Sequence, residues 1–351
     1  MTNLTSKRDY SIDILRAIAI VGIIIAHSTP NDLIFQIRNF DVVLMVLLMG
    51  ASYYLSNQNK KINYIDYLIK RFNRLVVPTW QFLAIFFVLF YGLSVYAGSD
   101  YYFNFETIKS SFLLLDGIGY VWIMRVFFLV AMLSPLMLFI SKKIKNNLIY
   151  LGFIVVLYGV YTVLIQYNST MSGNLGYYTE QIVVYGLGYI IVFAVGLRLK
   201  QFSTKDINIL LGFMVGMLIV LMYINDFRPV QEFKYPPKLY YMSYGITVSL
   251  FLYQLLKINV IKNILQNKFV LYLSHHSIWL YFWHIIFVYA LKLYSSHFKM
   301  INESFITRFL FIFLLALLTT FIHNVLKGYW KQLKSKKSND VSKETSKQAS
   351  M

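Results

Sequence analysis

Apolar stretches of about twenty residues recur from one end of this chain to the other, each long enough to cross a bilayer as a helix. Hydrocarbon offers no partner for a backbone N–H or C=O, so such stretches must satisfy their hydrogen bonds internally. Helices do that segment by segment. Spans are expected near residues 10–28, 41–56, 75–97, 119–140, 148–167, 180–197, 207–224, 239–256, 270–291 and 304–326. The 351 residues are 58% hydrophobic and only 14% charged, against about 25% charged in a soluble domain. The expected fold is all-α: a polytopic integral membrane protein of about ten transmembrane helices, forming one membrane domain over residues 1–332. Lys7 and Arg8 precede the first span without a small-residue cleavage pattern, so a retained helix is expected there. From residue 333 the chain reads LKSKKSNDVSKETSKQASM, polar and without aromatics, the composition of a disordered cytoplasmic tail.

A net charge of +18 raises the question of nucleic acid. Its distribution answers against that, because the charges alternate between loops. On the side of the N-terminus lie Lys60, Lys61, Lys70, Arg71 and Arg74, then Lys142, Lys143 and Lys145, then Arg198, Lys200 and Lys205, then Lys257, Lys262 and Lys268. The opposite loops hold or border Asp32, Asp41, Asp100, Glu106, Asp116, Glu180, Asp226, Glu232 and Glu303. The positive-inside rule then places both termini in the cytoplasm. No cysteine is present, which excludes disulfides, thiolate metal sites and cysteine nucleophiles. No inverted repeat with broken helices marks a secondary transporter.

Ionisable side chains inside spans are costly and need a partner, a wet cavity or a task. Arg16 and His27 lie eleven residues apart in the first span, nearly three whole turns, so they share a face roughly 16 Å apart along the axis. Asp13, three residues before Arg16, can pair with it. Arg71 and Arg74 are one turn apart ahead of Pro78 and Trp80. They suit a phosphate clamp, and equally the ordinary anchoring of a cytoplasmic loop. Arg125 sits inside the fourth span, with Asp41, Asp116 or Glu180 as candidate acids. His284 lies in the middle of the ninth span among aromatics, with Trp283 beside it; His276 is eight residues earlier, close to one helix face. No carboxylate stands in register there, so no metal site is expected.

These segments follow one another in an order that resembles the acyltransferase-3 family of bacterial membrane O-acyltransferases. The resemblance rests on the Arg16-to-His27 spacing, on FDVVLMVLLMGASYYL (similar to FDVPLMVFLSG in relatives), and on Arg71-x-x-Arg74 with Pro78 and Trp80. VWIMRVFF and LSHHSIWLYFWH, ending at His284, complete it. It covers most of residues 10–326. One departure is Met49-Gly50, where relatives more often carry Ser-Gly, leaving that serine without a counterpart here. The resemblance implies about ten helices, an acyl-CoA donor (acetyl-CoA first among them) in the cytoplasm, and an acceptor hydroxyl on a cell-surface glycan or lipid-linked sugar. Relatives often carry a fused extracytoplasmic hydrolase-like domain. None is recognised in this sequence, so direct transfer, or hand-off to a separate extracytoplasmic transferase, is expected.

Ester formation from a thioester needs a base for the hydroxyl, a stabiliser for the oxyanion and an anchor for phosphates. His27 is the candidate base or acyl carrier. Arg16, Arg71 and Arg74 are the candidates to hold the donor, and Arg125 to polarise the thioester carbonyl or steer the acceptor. His284 and Trp283 are the candidates to contact substrate. A glycan exporter or flippase, and a structural partner of a capsule-assembly complex, remain as other classes. Neither requires His27.

Overall fold

The computed structural model describes residues 10–348 of the chain, and these are helical without a strand. In order, α1 is Tyr10–His27, α2 Asp32–Asn57, α3 Tyr64–Tyr96, α4 Phe105–Phe112, α5 Trp122–Lys143, α6 Asn147–Ser169, α7 Gly173–Arg198 and α8 Thr204–Ile224. After a short 3-10 turn at Val230–Phe233 come α9 Leu239–Leu255, α10 Asn259–Leu265, α11 Lys268–His275, α12 Ser277–Leu293 and, beyond a single-turn helix, α13 Phe305–Gln348. Several starts are written in the sequence as cap residues. Asn63, Asn104, Asn146 and Asn267 each accept from backbone N–H groups of the first turn, and Ser203 forms a capping box with Asp206.

Helix α1 occupies the middle, packed against α2, α9, α11, α12 and α13. Its Ile14, Leu15, Ala19 and Ile24 are fully enclosed. The most extensive pairing is α2 with α7. A Cβ on Gly50 would run into the Phe193 carbonyl, and one on Gly196 into the Leu47 carbonyl, so the two helices meet backbone to backbone. On the outside, α6 and α8 expose Val155, Val156, Val160, Ile209, Phe213 and Ile219, an apolar flank fit for lipid tails. The charged and polar groups that matter therefore cluster around α1.

Eight helices among the described residues are long and apolar enough to cross a membrane, and nine if the bent pair α9 and α10 is one span. Helix α12 is shorter at 17 residues. The expected span 270–291 is broken: α11 ends at His275 and α12 starts at Ser277, with His276 at the junction. His276 and His284 therefore do not share one helix face. The second span begins earlier than expected, at Asp32, through a 3-10 turn Arg38–Phe40 that leads into Asp41. The stretch from 333, expected to be disordered, continues α13 to Gln348. Lys, Gln and Glu are good helix formers, no Gly or Pro follows Gly328, and extending an existing helix costs far less than nucleating one. Residues 349–351 lie outside the described residues.

Candidate active site

At the N-terminal end of α1, Arg16 is held by three neighbours from three helices. Its guanidinium donates to Asp13 at 3.2 Å, to Ser274 Oγ of α11 at 3.2 Å and to Ser52 Oγ of α2 at 3.1 Å. Ser274 in turn donates to Asp13 at 2.9 Å. Two hydroxyls and one carboxylate thus fix the direction of one cation, at the cost of neutralising only one charge. Arg16 lines a cavity of about 280 Å³ together with Arg71 and Arg74 from α3. The Arg71 guanidinium lies 5.0 Å from the Tyr67 ring and 6.0 Å from the Tyr53 ring, and these rings orient it. Three arginines converge that are 16, 71 and 74 in sequence. Past them the wall turns apolar, with Ile20 and Ile23 of α1 facing Met45 and Met124, and Tyr281 also lines the cavity. Residues 16, 20, 23 and 27 are one stripe of α1, so the cavity follows the face that the spacing of Arg16 and His27 predicts.

At the other end of that stripe, His27 Nδ1 lies 2.8 Å from His284 Nε2, with the rings stacked at 5.0 Å and 7°. The Tyr120 ring meets His27 edge-on at 4.8 Å. Tyr281, which lines the cavity, is 5.1 Å from the His284 ring and donates its hydroxyl to the Tyr120 carbonyl at 2.5 Å. One side chain thus touches both the cavity and the histidine pair. Its support comes from the chain terminus of α1 as well: Arg308 of α13 donates to the carbonyls of Ser28 (3.2 Å) and Thr29 (2.9 Å), just past His27. A guanidinium there satisfies end-of-helix carbonyls and favours the negative pole of the helix. Because Nδ1 of His27 is engaged by His284, Nε2 is the nitrogen left to meet a substrate. Among the described residues no three His, Asp or Glu side chains converge as a metal site.

This arrangement has a counterpart in sequence. A family model described as an acyltransferase domain, acyltransferase-3, matches residues 9–325. The chain belongs to the acyltransferase-3 family. It is a multi-pass membrane acyltransferase, and its family acts on carbohydrate substrates. No curated protein and no solved structure matches the chain at a significant level.

Within this acyltransferase the remaining candidates fall elsewhere. Arg125 is buried in α5, but it donates to the Leu114 carbonyl at 2.8 Å and to Gln181 of α7. Neither Asp41, Asp116 nor Glu180 is within ion-pair distance of it. Its guanidinium braces the loop that ends in Tyr120 and does not face His27. Trp283 turns toward the last helix, 6.1 Å from Trp279 and 5.8 Å from His323. His276 bonds to Asn324 at 3.1 Å, also on α13. Beside them the structure brings in His275, which lines the arginine cavity, and residues that sequence reading passed over: Tyr120, Tyr281, Arg308, and the cations Arg38 and Lys234 that surround Asp41. A signal for the last group was present. Arg38 and Lys234 are cations on the acid-rich side of the chain, against the prevailing charge bias.

Proposed function

We propose that this acyltransferase moves an acyl group, acetyl in the first instance, from acyl-CoA to a hydroxyl of a cell-surface glycan or its lipid-linked precursor, in the membrane of a bacterial cell. The observation that carries the reading is one cavity that Arg16, Arg71 and Arg74 line together with Ile20, Ile23 and Tyr281, on the same stripe of α1 whose far end carries the His27–His284 pair. Guanidinium groups bind phosphate bidentately and strongly. Arg16, Arg71 and Arg74 would hold the phosphates of the donor at the open end. The pantetheine arm would then lie along Ile20 and Ile23, and its thioester would reach the histidines.

The chemistry that follows is general-base acyl transfer. With its Nδ1–H donated to His284 Nε2, His27 presents the Nε2 lone pair to the acceptor hydroxyl. As that oxygen attacks the thioester carbon, His27 takes the hydroxyl proton. The carbon–sulfur bond then breaks, the ester oxygen–carbon bond remains, and the departing sulfur receives the proton from His27. No external oxidant or reductant is needed. His284 acts as a positioning residue, fixing the tautomer and the ring plane, the role a carboxylate has in hydrolytic triads. Whether the glycan or a separate extracytoplasmic transferase takes the acyl group first, the base at the site is the same. The test is to express wild type and His27→Ala at matched membrane abundance and quantify ester-linked acyl groups on surface glycans. Esters lost with the mutant support the assignment. Esters retained at wild-type level in His27→Ala would sink it.

A further inference from the structure

Lys234 follows the 3-10 turn Val230–Phe233 and is only 5% exposed. Its ammonium is caged by Tyr235 at 5.4 Å, Trp122 at 5.7 Å and Tyr241 at 5.9 Å. No carboxylate among the described residues lies within ion-pair distance of it. The acid whose field reaches it, Asp41, is already committed to Arg38 at 3.2 Å in a pair that is itself buried. The group Arg38, Asp41 and Lys234 therefore encloses two cations and one anion. A buried, uncompensated charge is expensive. Beside it, Arg38 Nε is buried without a hydrogen-bond partner among the described residues. An unmet guanidinium N–H and an ammonium without an ion-pair partner are what an anion would satisfy at once.

The place of this group matters as much as its charge. Arg38 and Lys234 are the cations whose fields reach His27. Trp122, part of the cage, is two residues from Tyr120, whose ring touches His27. Trp122 and Tyr235 meet edge-on at 5.3 Å, and Tyr235 is 47% exposed, so an aromatic rim opens outward beside the buried ammonium. Aromatic faces suit the C–H faces of a sugar ring. The arginine cavity lies toward the other end of α1, lined by Arg16, Ile20 and Ile23.

We infer that Lys234, with Arg38 and the Trp122–Tyr235 rim, forms the acceptor subsite, and that it selects a sugar carrying an anionic group, a carboxylate or a phosphate, next to the hydroxyl that is acylated. This rests on the acyl-transfer reading given above. Burial lowers the Lys234 ammonium to about 8, and the cation is still predominantly charged near neutrality.

The test uses the full-length protein in detergent or nanodiscs with three sugars, methyl glucoside, methyl glucuronoside and glucose 1-phosphate, and with inorganic phosphate as the sugar-free control. Two readouts run in parallel, the ligand-induced shift in Tm without donor and acyl transfer with acetyl-CoA. Wild type should be stabilised by one or both anionic sugars, and not by the neutral one. Lys234→Met should lose that shift and about ten- to a hundredfold in kcat/KM for the anionic acceptor, mainly through KM, while Lys234→Arg should keep most of it. Whether glucuronoside or sugar phosphate gives the larger effect assigns the source of the anion. Equal shifts by neutral and anionic sugars, or an anionic preference unchanged in Lys234→Met, would overturn the inference and leave acyl transfer standing. An anion-specific shift that depends on Lys234, without transfer to any sugar, would uphold the subsite and remove the acyl-transfer reading. A shift by inorganic phosphate as large as by the sugars would overturn sugar selection.

Discussion

The two ends of α1 solve the burial of charge in opposite ways. At the Arg16 end, the cation is met by Asp13, Ser52 and Ser274, and its companions Arg71 and Arg74 face a cavity. At the His27 end, Lys234 is enclosed by rings with no acid of its own. The first end is polar, open and arginine-rich, which suits a flexible polyanion that arrives and leaves. The second is aromatic and tight, which suits a rigid ring and one charge. A protein that joins a soluble donor to a carbohydrate acceptor needs both kinds of site, with the base between them. The histidine pair is where the two descriptions meet.

The largest effect should come from that meeting point. His27→Ala, checked beside His27→Gln for folding, should lower kcat about 10²- to 10⁴-fold, the usual contribution of a positioned base. KM for acetyl-CoA should stay near wild type, because the phosphates bind at the other end. A mutant that instead raised KM tenfold and spared kcat would erase the division between the ends. His284→Ala should cost less, again in kcat, since it orients His27 and does not touch the hydroxyl.

Lys234 sharpens the comparison through pH. The groups facing it are Asp41, which raises its proton affinity, and Arg38, which together with burial lowers it to about 8. Tyr235 stays neutral, since burial pushes its phenol upward. Transfer to an anionic sugar should therefore fall as pH rises through about 8, and Lys234→Arg should shift that fall to higher pH. Stability moves the other way. The folded chain releases this proton near 8 while the unfolded chain holds it to about 10.5, so folding gains as pH rises between those values. Below 8 the charged lysine costs the fold about 3 kcal/mol, from a shift of that size at about 1.4 kcal/mol per unit. Lys234→Met should accordingly raise Tm at pH 7 while it loses the anionic acceptor. A lower Tm would show that the ammonium is a structural tie and not a binding group.

The same contrast explains what the sequence could reveal. Membrane helices, Asn and Ser caps, and the Arg16-to-His27 stripe are local, set by hydropathy and by 3.6 residues per turn, and the structure contains the caps, the stripe and eight or nine of the ten expected spans. The break at His276 was hidden because LYLSHHSIWLYF is apolar on both sides of it, and hydropathy does not register a turn. The arginines of the cavity could be singled out because each sits on a regular helix near a motif, although their spacing equally fits ordinary loop anchoring. The Lys234 group left only a reversed charge bias, since it joins residues 38, 41, 122, 234 and 241 and no periodicity links them. Arg125 is the opposite case. A buried cation in a span needs partners, and those it has, the Leu114 carbonyl and Gln181, are revealed only by the tertiary contacts.

At the donor end, Arg71→Ala should raise KM for acetyl-CoA about tenfold, the loss of one charge-assisted contact of about 1.5 kcal/mol, and leave kcat and the anionic-sugar preference unchanged. Pantetheine-linked acetyl thioesters that lack the nucleotide should show little difference between this variant and wild type. If Arg71→Ala impaired the truncated donor as much as the whole one, the arginines would be shaping the throat, and phosphate binding would lie elsewhere.

The smallest effect belongs to Trp283, and it marks the boundary of the site. It lies next to His284 in sequence, which makes it a natural substrate contact, yet its ring stacks with Trp279 and faces His323 of α13. Successive residues on a helix are rotated by about 100°, so His284 reaching His27 obliges Trp283 to look away. Trp283→Phe keeps a ring against those neighbours and should change kcat and both KM values less than twofold, with a loss of stability of about 1 kcal/mol from reduced packing. Steady-state kinetics with both substrates and a thermal melt decide this. A fall in kcat/KM for the acceptor beyond fivefold, at unchanged Tm, would mean that the acceptor reaches around α12 toward the last helix, and the subsite would have to be redrawn to include that side.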